Sequence, residues 1–180
     1  MKKYIFSALL GIVSGITLFA QHDHSGHQPN TSTTTGKAPQ NAATGEATQK
    51  QFTQLLSSYY DIKNALVAGD APSAASSSGE FLKIVNSIDY KVLSENNANI
   101  LAKDAGRISE TKDLAKQLQI FATLSSNMAT VAKTLKLTVQ PVYIQYCPMK
   151  KASWLSAEKE IRNPYFGNAM LTCGEVTETL

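Results

Sequence analysis

Leu114-Ala-Lys-Gln-Leu118-Gln-Ile-Phe121-Ala-Thr-Leu-Ser125-Ser-Asn-Met128-Ala-Thr-Val-Ala132-Lys-Thr-Leu135 is the stretch from which the fold is read. Leu114, Leu118, Phe121, Ser125, Met128, Ala132 and Leu135 alternate spacings of four and three, which lines one face of a helix. With Ser109 as its N-cap, the pattern predicts a bundle helix of about 27 residues. Met128 on that stripe reads as a core filler.

Upstream, Phe52, Leu55, Leu56, Tyr59, Ile62 and Leu66 form a second stripe, closed by Gly69 as a helix C-terminal cap. Asp70 caps a third helix with Pro72 in its first turn, and Ala74, Ala75, Phe81, Leu82, Val85 and Ile88 form its apolar face. These two helices predict an antiparallel hairpin. Residues 93–104 carry an Asn-rich run that weakens the pattern, so a short helix or irregular crossover is expected there.

Downstream of Thr138 the helical period stops. Val139, Pro141, Val142, Ile144 and Tyr146 are β-branched, aromatic or Pro, which predicts a strand ending at Cys147. Residues 170–179 also have strand character, with Gly174 as a bulge candidate, and pairing the two segments brings Cys147 near Cys173. Between them Trp154 and Leu155 dock on the bundle and Asn163-Pro164 turns the chain. The fold class expected is mainly α: an antiparallel helical bundle with a short C-terminal β-hairpin-like segment carrying both cysteines.

The front of the chain reads differently. Met1-Lys-Lys3, an apolar run from Ile5 to Phe19 and the small Ala20 make residues 1–20 a signal peptide pattern. The run is shorter than the roughly 18 residues of a membrane span, so no membrane anchor is expected in the mature form. Residues 21–50 are rich in Gln, His, Ser, Thr, Asn and Gly and read as a disordered linker. Residues 51–180 form the bundle domain.

Charge narrows the partners. The chain has 17 basic and 14 acidic residues, and losing Lys2 and Lys3 with the leader leaves 15 against 14. A nearly neutral surface lacks the basic field that phosphate backbones require, so nucleic acid is not an expected partner. Catalysis is not expected either. The three histidines all precede residue 51, no Gly-rich phosphate loop is present, and Glu158 and Glu160 read as a solvated turn.

Two sets of side chains suit a metal. His22, His24 and His27, with Asp23, place three imidazoles within six residues, a set able to wrap Cu(II), Zn(II) or Ni(II). Cys147, Met149, Met170 and Cys173 are soft sulfur ligands that favour Cu(I). In an oxidising compartment the two cysteines equally suit a structural disulfide, whose loop of about 27 residues would stabilise the fold by roughly 3.5 kcal/mol. Both readings stand at the level of sequence.

The combination Cys147-Pro-Met149, Trp154-Leu-Ser156, Asn163-Pro-Tyr-Phe-Gly167 and Met170-x-x-Cys173-Gly174, with Phe121-x-x-Leu-Ser125 upstream, resembles the bacterial domain of unknown function thirty-three forty-seven. The resemblance extends over about residues 51–179. That family occurs as exported proteins and joined to periplasmic adaptor subunits of heavy-metal efflux systems. The resemblance implies a periplasmic setting, heavy-metal resistance, the handling of copper or silver, and an efflux or metal-transfer protein as partner. It implies no established activity.

Overall fold

The computed structural model describes residues 40–180, with side chains from residue 45. The leader, most of the linker, and His22, His24 and His27 lie outside the described residues. Four helices, α1 (Gln40–Val67), α2 (Ala71–Ser87), α3 (Glu95–Ser109) and α4 (Leu114–Leu135), precede three strands, β1 (Tyr143–Cys147), β2 (Ala152–Ser156) and β3 (Glu175–Thr179). The fold is mainly α, as the stripes predict.

Helix α1 begins ahead of its apolar stripe, at Gln40 rather than near Phe52. Ala42, Ala43 and Ala47 favour helix without needing burial, which is why composition alone reads this turn as linker. From Phe52 onward Leu55, Tyr59, Ile62 and Leu66 are fully or almost fully buried. Gly69, at φ +71°, ends the helix in a Schellman motif: its N–H donates to Leu66 O at 3.0 Å, and Asp70 N–H donates to Ala65 O at 2.9 Å. Asp70 then accepts from Ser73 N–H at 3.0 Å and opens α2.

Two boundaries differ from expectation. The stretch 93–104 is regular: from Glu95 onward it belongs to a full helix, α3, capped by Ser94, which accepts from Asn97 N–H. Ala98, Leu101, Ala105 and Ile108 give α3 a buried stripe that the neighbouring asparagines obscure. Ser109 is the last residue of α3, its hydroxyl donating to Gly106 O, and does not cap α4. Asp113 performs that role by accepting from Ala115 and Lys116 N–H, so α4 has 22 residues. Buried Gln117 fixes the junction by donating to Ala71 O at 2.9 Å and Thr111 O at 2.7 Å.

The C-terminal hairpin is in fact a three-stranded antiparallel sheet of order β2-β1-β3. The predicted β1–β3 pairing is present, and β2 joins the other side of β1, with Cys147 opposite Ala152 and Gln145 opposite Trp154. β2 escapes a periodicity reading because Trp154, Leu155 and Ser156 are all buried, leaving no alternation. Trp154 and Leu155 have no exposed surface, and β2 packs against α4. The bulge falls between Ile144 and Gln145 opposite β3, not at Gly174.

One hydroxyl joins bundle and sheet. Tyr59 Oη lies 2.6 Å from Ser125 Oγ and accepts from Leu155 N–H at 3.2 Å. Stacking of Tyr59 on Phe121, and Tyr165 against both Phe121 and Trp154, continues the core from α1 through α4 into the sheet.

Candidate metal centre

The crossover of residues 157–174 lies over the face of the sheet that carries Gln145, Cys147 and Trp154. Gln145, fully buried, anchors one end: its Nε2 donates toward the carbonyls of Glu158, Lys159 and Glu160 at 2.9 to 3.2 Å. Glu158 and Glu160 themselves are exposed, as a solvated turn should be. At the other end Gly174, at φ +147°, passes so close that a Cβ there would lie 2.9 Å from Tyr146 O and 3.0 Å from the Trp154 ring. Only glycine fits that passage.

This packing brings the two thiols together. Cys147 Sγ, fully buried, lies 4.0 Å from Cys173 Sγ, which is half-buried, and both are free. Asn163, also fully buried, brackets the pair. Its Nδ2 donates to Cys173 O at 2.7 Å and its amide also reaches the Cys147 sulfur, while Oδ1 accepts from Tyr165 N–H and its own N–H donates to Leu171 O.

The two sulfurs are chemically unequal. Burial pushes the Cys147 thiol up, but the N–H groups of Lys150 and Met149, the Asn163 amide and the Cys173 thiol favour the thiolate and bring it below the ordinary thiol value. Lys150 N–H lies 3.4 Å from that sulfur. Cys173 is pushed up by burial, by its hydrogen bond to Cys147 and by the Cys147 charge. Of the two sulfurs, Cys147 is the one whose surroundings favour the thiolate.

The methionines flank this pair in the adjoining turns. Met149 lies in the β1–β2 turn, two residues after Cys147, with two-thirds of its surface exposed. Met170 is half-buried, and its carbonyl accepts from Cys173 N–H at 3.0 Å. Met128, by contrast, is buried in the helical core as a filler. Among the described residues no group of three or more His, Cys, Asp or Glu is assembled. Asn163 and Gln145 are the residues that sequence reasoning misses: the first reads only as a turn former, the second only as a strand position.

Helical bundle, small terminal sheet and apposed thiols define, among the described residues, a mainly α protein with two cysteine sulfurs 4.0 Å apart. The family model described as Protein of unknown function (DUF3347) matches residues 55–140, just under half of the chain, and the resemblance read from the sequence is thereby shown over the bundle. Cys147, Met149, Met170 and Cys173 all lie beyond the matched residues. No curated protein and no solved structure matches the chain.

Proposed function

We propose that the protein is an exported, periplasmic carrier of a soft metal ion, Cu(I) above all, serving as chaperone, buffer or resistance accessory. The single observation carrying this reading is the 4.0 Å between Cys147 Sγ and Cys173 Sγ, one of them favoured as thiolate. Two sulfurs each about 2.3 Å from a common ion subtend about 120° at that separation, the angle of three-coordination. A thioether from Met149 or Met170 supplies the third ligand, and sulfur donors select a soft ion over a hard one. Asn163 and the Lys150 N–H orient the Cys147 sulfur, as outer-shell partners of metal ligands do.

The setting rests on the leader pattern of residues 1–20 and on the family resemblance. His22, His24 and His27 extend the proposal to Cu(II), since imidazole suits the oxidised ion and thiolate the reduced one. The natural recipient is then an efflux or metal-transfer protein of the same compartment.

A second reading has its own observation. The thiols are free and adjacent, so oxidation would close the crossover as a disulfide and leave a metal-free helical interaction module; of the stretch from Trp154 to Gly167 it would present the exposed residues 157–160, Arg162 and Phe166, since Trp154, Leu155 and Asn163 are buried. Free-thiol counting on protein from the periplasm, with and without copper, separates the two. The carrier reading predicts two reactive thiols after mild reduction, both masked by one equivalent of Cu(I). Thiols that stay bonded to each other, with no copper bound after reduction, would overturn it.

A further inference from the structure

A second cavity, unrelated to the sulfur centre, opens between α4 and the sheet. It measures about 570 Å³ and is lined from α4 by Ala122, Thr123, Ser126, Ala129, Thr130 and Lys133, and from the sheet by Ile144, Lys151, Ala152 and Ser153. Its volume falls in the range of small-molecule sites. The cavity exists because α4 turns its small and hydroxyl-bearing side to β2 here, while Phe121, Leu124 and Met128 fill the bundle on the other. Larger side chains at Ala122, Ala129 or Ala152 would close it.

The lining is polar in a specific sense. Lys133 and Lys151 are its charged residues, and no acid lines it. Lys133 pairs with Glu178 from β3, whereas Lys151 has no ion-pair partner among the described residues. The hydroxyls of Thr123, Ser126 and Ser153 make no hydrogen bond among the described residues, while Thr130 Oγ1 is spent on Ser126 O at 3.1 Å. Neighbouring Lys150 points elsewhere, its Nζ 5.9 Å from the centre of the Tyr165 ring.

Lys151 is also held in an uncommon conformation, at φ +57°. Its N–H donates to Cys147 O at 2.8 Å and closes the β1–β2 turn. Glycine would adopt that conformation at lower cost, and the turn that holds Lys151 this way sets it in the lining of the cleft. One unpaired ammonium, a second at the rim and three free hydroxyls around a ligand-sized cleft make an oxyanion receptor.

We propose that this cleft binds a small organic anion through a carboxylate or phosphate group, seated between Lys151 and Lys133 and hydrogen-bonded by Ser126, Thr123 and Ser153. The two sources of oxyanion are distinguished by the probe. Calorimetric titration of metal-free, full-length protein with citrate in one arm and inorganic phosphate in the other should give saturable one-to-one binding in at least one.

Lys151→Gln should weaken that binding at least about ten-fold, the loss expected for one charge-assisted contact, and Lys151→Arg should largely restore it. Ala129→Leu should weaken it by obstructing part of the cleft. Cys147→Ser with Cys173→Ser should leave it unchanged, which keeps the test independent of the copper proposal. Absence of saturable binding in both arms overturns the proposal, as does binding that Lys151→Gln leaves intact. Lys151 is exposed in a turn, so its variant folds and decides the matter even if Ala129→Leu does not.

Discussion

Met128 and Cys147 are both sulfur side chains with no exposed surface, and the regions around them differ in kind. Met128 sits in the helical bundle among Phe121, Leu124 and Val131, where what matters is volume. Cys147 sits under the crossover, where Asn163, Gln145 and the Lys150 N–H make directed hydrogen bonds. The bundle is held by apolar burial that many sequences could supply. The sheet face depends on particular atoms at particular distances, and so a substitution in the first region is felt in stability and in the second at the site.

The largest effect that could break this division lies in the bundle. Phe121→Ala empties a fully buried position that touches both Tyr59 and Tyr165 and should cost about 3–5 kcal/mol in denaturant unfolding. Cu(I) stoichiometry of the folded fraction should remain one. A stable variant that has lost copper would show that the two regions are not separable.

Gly174→Ala should do the reverse. Its Cβ meets the Tyr146 carbonyl and Trp154 ring, so the strand must shift and carry Cys173 with it. The expected stability loss is about 1–3 kcal/mol. Cu(I) affinity, read by competition with a chelator, should fall at least about ten-fold, and undiminished affinity would contradict the distance dependence claimed for the thiol pair.

The smallest effect is electrostatic. Burial lowers the Lys63 amine below the usual lysine range, with Glu158 opposing the shift and Arg162 adding to it. The unfolded chain therefore holds this proton to higher pH than the folded one. Stability should rise as pH climbs through the lowered value toward the ordinary one near about 10.4. Lys63→Met should stabilise at neutral pH, on the order of 1 kcal/mol, and abolish that part of the rise in thermal unfolding across the alkaline range. A destabilised Met variant would mean that the contact of the ammonium with the Tyr60 ring, 5.9 Å from its centre, outweighs the cost of burial.

Much of the bundle is legible in the sequence because its stripes repeat over several turns. Phe52 to Leu66 and Leu114 to Leu135 each present enough positions to fix a face, and Gly69 marks the turn by its backbone requirement. The start of α4 is not legible, since Ser109 and Asp113 are both competent caps and only the packing of Gln117 selects the second. Strand β2 is hidden by burial on successive residues. The two cysteines are visible as a pair through the β1–β3 pairing, but Asn163 and Gln145 act through residues up to 16 and 15 positions away, and no local pattern announces such contacts.

The central claim, that Cys147 and Cys173 share one soft ion, is tested most directly by X-ray absorption at the copper edge on protein loaded with one equivalent of Cu(I). The account predicts a first shell of sulfur in a three-coordinate geometry, lost when Cys147→Ser and Cys173→Ser are combined. A shell of nitrogen and oxygen alone, or a sulfur shell unchanged in that double variant, would contradict it.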